Sequence, residues 1–305
     1  MQVQRAEGES ALKFFLKNVA SAATAACIAE IATIPIDTVK VRLQIQSKMA
    51  SGEKPKYVGF LGTARTIASE EGFVSLYNGL TAGLQRQVVF AGLRIGLYVP
   101  VRTLIAGELK PGENPTLLVK IAAAMATGTI GICVANPTDL VKVRMQSQRA
   151  AGPNQPKLYS GTIDCYRKIY AAGGVPAFWT GIIPNILRNS VINAAEIASY
   201  DQYKQMMLQY TRIKDGVTLH ILCATMAGFT ACCFGSPFDV TKTRMMAGKY
   251  TGVVDCVSQT FKQDGARAFY KGFTPNFLRL ASWNITMFVC YEQIKAYMFP
   301  VVKKE

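Results

Sequence analysis

The sequence predicts an all-α membrane protein with six transmembrane helices, arranged as three tandem repeats of about 100 residues that each carry a short helix between their two spans. Three observations predict it. One string of residues occurs three times at a regular interval, two stretches run uncharged for about the length of a bilayer span, and the composition is 50% hydrophobic with only 17% charged residues over 305 positions. Ordinary globular chains carry about 25% charged residues, so composition alone argues against a plain soluble enzyme.

The repeated string is Pro-x-Asp-x-x-Lys-x-Arg, as Pro35-Ile-Asp37-Thr-Val-Lys40-Val-Arg42, Pro137-Thr-Asp139-Leu-Val-Lys142-Val-Arg144 and Pro237-Phe-Asp239-Val-Thr-Lys242-Thr-Arg244, with the prolines 102 and 100 residues apart. A second signature follows each copy: Glu71-Gly72 with Tyr77-Asn78-Gly79, Gly173-Gly174 with Trp179-Thr180-Gly181, and Asp264-Gly265 with Tyr270-Lys271-Gly272. Proline to the first of these glycines (Gly72, Gly174, Gly265) spans 37 residues twice and 28 in the third copy, so the third loop has lost nine residues. Fixed spacing found three times in one chain marks three copies of one unit, bounded as 13–112, 113–213 and 214–300.

Within each repeat the elements follow in order. The first span contains the motif proline, and residues 121–138 and 217–238 carry no formal charge over 18 and 22 positions, close to the ~20 that a hydrocarbon core of about 30 Å requires. Proline removes a backbone donor and crowds the preceding turn, so these spans are expected to kink. The loops follow. Residues 40–77, 142–180 and 242–271 hold six Lys or Arg each, 18 of the 34 basic residues, which places all three loops on one side, facing the compartment of negative potential. The second spans begin after Gly79, Gly181 and Gly272 and carry isolated charges, Arg86 and Arg94, Arg188 and Glu196, and Arg279. Charges at membrane depth face a bundle interior or a water-filled cavity, so the second spans line an aqueous path. Small residues four apart, Gly92 with Gly96, Ala124 with Gly128 and Ala224 with Gly228, let neighbouring backbones approach closely.

Composition narrows the chemistry. The formal charge of +15 points to an anionic partner,. His220 is the single histidine, too few for a multi-histidine metal site, and no nucleophile motif accompanies it. Eight cysteines lie mostly in apolar stretches without a C-x-x-C, so zinc ligation and a disulfide framework are not indicated. No Gly-rich phosphate loop is present, and no cofactor is expected. A soluble basic repeat protein binding RNA would need polar outer faces, which the uncharged runs oppose.

Counting seven positions from each terminal glycine gives Arg86, Arg188 and Arg279. At 1.5 Å per residue that is about 10 Å into a helix, too deep for simple snorkelling to headgroups. One arginine per repeat at equal depth puts three guanidinium groups in one layer, and an unpaired cluster of that kind needs an anion or water. An anion site is the inference. At position +15 stand Arg94, Glu196 and Met287, so an acid and a base could pair one layer on. Glu30 lies five residues before Pro35, where the other repeats have Ile132 and Cys232. A lone carboxylate at that depth is either raised in pKa by desolvation or held ionised by an arginine, and both suit a proton or fatty-acid path. A hydrogen-bonded structural acid is the competing role.

With these residues assembled, the chain resembles the mitochondrial carrier family from about Lys13 to Pro300. Gly83-Leu-Gln-Arg86-Gln, Leu93-Arg94-Ile-Gly-Leu-Tyr98, Asn193-Ala-Ala-Glu196 and Phe277-Leu-Arg279-Leu-Ala-Ser-Trp283-Asn284 resemble its uncoupling-protein group, plant-type members especially, with the dicarboxylate and oxoglutarate carriers as near relatives. The resemblance implies three-fold pseudosymmetry, short matrix helices, an inner-membrane location and both termini in the intermembrane space. It also implies that Asp37, Asp139 and Asp239 pair with Lys40, Lys142 and Lys242 of neighbouring repeats as a matrix gate, braced by Gln44 and Gln146, with Met246 lacking that role. At position +19 stand Tyr98, Tyr200 and Tyr291, followed by the cytosolic-gate residues Asp201 with Lys204, Glu292 with Lys295, and Arg102. Val99 replaces the third acid, so at most two pairs can form there, which favours the cytosol-open state. Asn78 and Thr180 replace expected bases and Gly173 an expected acid.

The function so implied is transport by alternating access, either a fatty-acid-activated, purine-nucleotide-inhibited proton leak with or without small-anion exchange, or antiport of dicarboxylates or acidic amino acids without a physiological leak. Arg94, Glu196, Trp283 and Asn284 join the three arginines as substrate- or nucleotide-binding candidates. Cardiolipin is an expected lipid partner, nucleic acid is not a partner, and a monomer is expected. Residues 1–12 contain Glu7 and Glu9, unlike an acid-poor transit peptide, so targeting is expected to be internal.

Overall fold

A computed structural model describes residues 11–46, 56–107, 116–148, 158–210, 216–248 and 250–298. Every regular element among them is helical. In chain order they are α1 (Ala11–Ile45), α2 (Phe60–Glu71), α3 (Leu80–Ala106), α4 (Leu117–Ser147), α5 (Thr162–Gly173), α6 (Ile182–Tyr210), α7 (Val217–Met246), α8 (Val253–Asp264) and α9 (Phe273–Met298). A five-residue 3-10 turn follows each of α2, α5 and α8. Each repeat is thus long helix, 12-residue helix, tight turn, long helix.

The shortest long helix, α9, has 26 residues, which at 1.5 Å per residue is about 39 Å and exceeds the ~30 Å hydrocarbon core. Leu16–Ile45 meets the length and hydropathy of a membrane span outright, with mean hydropathy 1.7. Pro35, Pro137 and Pro237 lie inside α1, α4 and α7. Each removes one rung of the ladder, leaving the carbonyl four residues earlier without its usual donor.

Two compact units are distinguished. One comprises the described residues up to 34 together with 80–139 and 281–298; the other comprises 35–79 and 140–280. In the first unit most buried apolar positions are alanine, at 22, 25, 26, 29, 82, 123 and 135, joined by Ile34 and Ile132. Alanine buries little area, so close backbone approach supplies the van der Waals contact. At Gly131 an added Cβ would lie 3.1 Å from the Phe90 ring, so α3 and α4 are already in contact there.

The second unit has a conventional apolar core of Val39, Tyr57, Ile67 and Leu76, flanked by Leu43, Phe60, Ala64 and Tyr77. The short helices turn one narrow stripe inward, with Thr63 and Ile67 buried on α2, Cys165 and Ile169 on α5, and Cys256 and Thr260 on α8, four apart as one helix face requires. The starts of α5 and α8 are fastened by their own acids: Asp164 accepts the Ser160 N–H at 3.0 Å and Asp255 the Thr251 N–H at 3.2 Å. Those bonds hold both carboxyls below the usual range, helped by Lys168 at Asp164 and led by Gln259 at Asp255. Between α6 and α7, a Cβ on Gly235 would sit 2.5 Å from Ile192 Cγ1, which fixes glycine at that crossing.

Candidate functional site

The motif residues of α1, α4 and α7 point at one another across repeats. Lys142 donates to Asp37, and Lys40 meets Asp239 at 2.7 Å. Gln44 Nε2 donates to Asp239 Oδ2 at 2.7 Å, while its Oε1 accepts from Thr243 Oγ1 at 2.8 Å. Gln146 Nε2 reaches Thr38 Oγ1 at 3.4 Å. Buried charges in a low-dielectric setting persist when paired and hydrogen-bonded on every side. Met246, at the third such position, is buried beside Gly181.

The arginines at +7 bring a correction. The sequence suggested a layer of unpaired guanidinium groups, but each is paired with a motif aspartate of another repeat. Arg86 meets Asp139, Arg188 Nε donates to Asp239 Oδ1 at 2.5 Å, and Arg279 Nε lies 3.0 Å from Asp37 Oδ1. Asp37 and Asp239 therefore each hold one lysine and one arginine. The physical reason is that an anion-free cationic layer has a large self-energy, and the nearest carboxylates already lie within reach.

The motif arginines had been given no role, and they make the inter-repeat bonds nearest the loops. Arg42 Nε donates to Gln146 O at 2.6 Å, Arg144 Nε to Met246 O at 3.4 Å and Arg244 Nε to Gln44 O at 2.9 Å. Repeat one reaches two, two reaches three, and three reaches one. The far ends of two of them are clamped by the acid of the second signature: Arg42 is bidentate on Glu71 at 3.1 and 2.8 Å, and Arg244 Nη2 donates to Asp264 at 2.6 Å. The terminal glycines follow the same order. Gly79, Gly181 and Gly272 all have positive φ, and an added Cβ would lie 3.0 Å from Lys142 O, 2.9 Å from Met246 Cγ and 3.1 Å from Gln44 Cγ respectively. Both the backbone angle and the space demand glycine.

Glu30 is 1% exposed. Gln87 Nε2 donates to its Oε2 at 2.7 Å, and Gly83 leaves room for it, since a Cβ there would stand 2.7 Å from Oε1. In repeat three the volumes are reversed, with small Cys232 on the first helix and buried Asn276 on the second, their Sγ and Nδ2 4.0 Å apart.

The remaining predicted residues are more open. Glu196 is half-buried and forms no ion pair among the described residues. The side chain of Arg94 lies outside what is described. Asn284 is exposed, and the buried Nε1 of Trp283 meets no acceptor among the described residues. Among the described residues, Asp201 and Glu292 are exposed and form no ion pair, Lys295 sits 5.4 Å from the Tyr291 ring, and Arg102 has a buried Nε without a partner. Val99, where the third acid was expected, is 54% exposed. Lys204 is half-buried. Asp139 and Lys242 fall in different units.

Three segments, 12–109, 113–211 and 214–301, match the family model described as mitochondrial carrier protein. Among curated proteins the chain is 52% identical over 286 residues to "Mitochondrial uncoupling protein 1" of Arabidopsis thaliana, covering 92% of this chain and 93% of that one. It is 46% identical over 287 residues to "Putative mitochondrial transporter UCP3" of Homo sapiens, covering 92% and 91%, and 44% identical over 278 residues to "Mitochondrial brown fat uncoupling protein 1" of Ovis aries, covering 90% of each. The three-fold motif, the cyclic order of its bonds and these matches lead to one conclusion: the chain belongs to the mitochondrial carrier family, transporters of the inner membrane rather than enzymes.

Proposed function

We propose that this protein is an uncoupling-type carrier, in which Arg86, Arg188 and Arg279 engage a small anion and Glu30 serves proton or fatty-acid movement. The observation that carries the proposal is the sharing of Asp37 and Asp239 between a motif lysine and a +7 arginine. An anion that takes the arginine frees the aspartate from one cation, so substrate binding and the lysine–aspartate pairs that close the loop side are coupled through one carboxylate. Purine nucleotides inhibit by occupying the same arginines together with Arg94, Glu196, Trp283 and Asn284; the acceptor-less indole N–H of Trp283 supports this. Gln44 and Gln146 brace the matrix gate of Asp37, Lys40, Asp139, Lys142, Asp239 and Lys242. Asp201, Lys204, Glu292, Lys295 and Arg102 form the opposite gate. The termini face the intermembrane space, the protein acts as a monomer, and cardiolipin accompanies it.

The test is purified protein in liposomes, with proton flux and a panel of dicarboxylates and acidic amino acids measured in parallel, with and without fatty acid and GTP. Arg188→Gln should abolish GTP-sensitive flux and anion exchange together. Flux independent of Arg188 would remove the central site. Glu30→Gln separates the two readings: loss of fatty-acid-dependent proton flux with exchange retained supports the leak, whereas exchange without any leak in the parent protein supports the antiporter.

A further inference from the structure

The three motif arginines are equivalent by repeat and unequal by partner. Arg42 places its η nitrogens on Tyr57, Glu71 and the Gln148 carbonyl, and Arg244 places its own on Thr260 and Asp264. Arg144 makes only the single 3.4 Å bond from Nε to Met246 O among the described residues. Two substitutions explain it. Gly173 stands where the other repeats have Glu71 and Asp264, and Ile169 stands where repeat three has Thr260. One titratable neighbour, the Cys165 thiol, is pushed up to about 11, chiefly by burial, so it stays neutral and cannot replace the missing carboxylate. The surroundings are also the most cationic of the three loops: residues 142–180 hold six basic residues and one acidic, against three acidic in 40–77 and two in 242–271.

A half-buried guanidinium with two donor nitrogens unclaimed among the described residues presents the fork that binds an oxyanion in bidentate fashion,. A basic setting favours the more highly charged one. We propose that Arg144 forms a phosphate-binding site in the second repeat, created by the glycine at 173 and filled either by free inorganic phosphate or by the phosphodiester of a lipid headgroup. It is separate from the +7 arginines, and it makes the second repeat's clamp dependent on a ligand where the other two carry a built-in acid.

The experiment uses the purified full chain in nonionic detergent and reads the unfolding midpoint. One arm titrates inorganic phosphate against chloride at matched ionic strength; the other adds cardiolipin in mixed micelles without phosphate. Ligand bound to the folded state raises the midpoint. The parent chain and Gly173→Ala should respond alike. Arg144→Gln and Gly173→Glu should bind at least about tenfold more weakly, and Gly173→Glu should unfold at a higher temperature than the parent chain in plain buffer, because its carboxylate takes the place of Glu71 in repeat one. A response to cardiolipin alone, with the same dependence on these variants, assigns the site to lipid. Equal responses in the parent chain and Arg144→Gln, or no response in either arm, would overturn the proposal.

Discussion

The motif aspartates Asp37, Asp139 and Asp239 are buried and ion-paired, whereas Asp201 and Glu292 on the far halves of α6 and α9 are exposed and form no ion pair among the described residues. The residue types are the same in both places, and the environment differs. At the buried end, desolvation has been offset by two or three partners per carboxylate, so losing one partner strands the others. At the exposed end water already solvates each charge, and a pair there contributes about 1 kcal/mol or less. The cost of separating charges is therefore concentrated at the motif aspartates.

The largest test of that contrast is Asp239→Asn. It leaves Lys40 and Arg188 without their carboxylate and should lower stability by about 3–5 kcal/mol, read as a drop in the thermal midpoint, while Asp201→Asn should stay within about 0.5 kcal/mol. Equal effects would break the comparison. Next comes Arg244→Gln, which strands the buried Asp264 and should cost about 3 kcal/mol; Arg144→Gln, with no carboxylate to strand, should cost about 1 kcal/mol or less. Gln44→Ala removes bonds to both Asp239 and Thr243 and should cost about 1–2 kcal/mol. Val99→Asp should leave the midpoint within about 0.5 kcal/mol but supply the third acid at the exposed end, shifting inhibitor affinity in the transport assay; an unchanged affinity would mean that this end does not set the conformational balance.

The smallest effect concerns pH. The Cys165 thiol has a folded pKa of about 11 against 9.0 for the free group. The unfolded chain releases that proton first, so its contribution is intact below pH 9 and declines between pH 9 and 11. Cys165→Ser should flatten that part of the stability profile measured by thermal unfolding.

Much of this architecture was legible before any coordinates. The spacing of Pro35, Pro137 and Pro237 gave the repeat, and the offset of seven from Gly79, Gly181 and Gly272 singled out Arg86, Arg188 and Arg279, because pseudosymmetry turns sequence position into depth. Partner choice was less legible. Nothing in the spacing says that Arg279 faces Asp37 or that Gln44 reaches Thr243, since these pairs join segments some 200 residues apart and depend on which helix stands beside which. The roles of Arg42 and Arg244 were missed for the same reason, although one signal was available: the acid of the second signature is present in the repeats whose motif arginine is clamped and absent in repeat two, where Arg144 is not.

Gly83 bears on how Glu30 is accommodated. With an alanine at 83, the methyl carbon would stand 2.7 Å from Glu30 Oε1, inside van der Waals contact, and the carboxylate would have to shift to relieve it. A larger residue at 83 would therefore crowd an acid at 30, and glycine removes that crowding. A single missing carbon thus sets how closely two spans can hold a carboxylate between them, and restoring that carbon should loosen the Glu30–Gln87 contact.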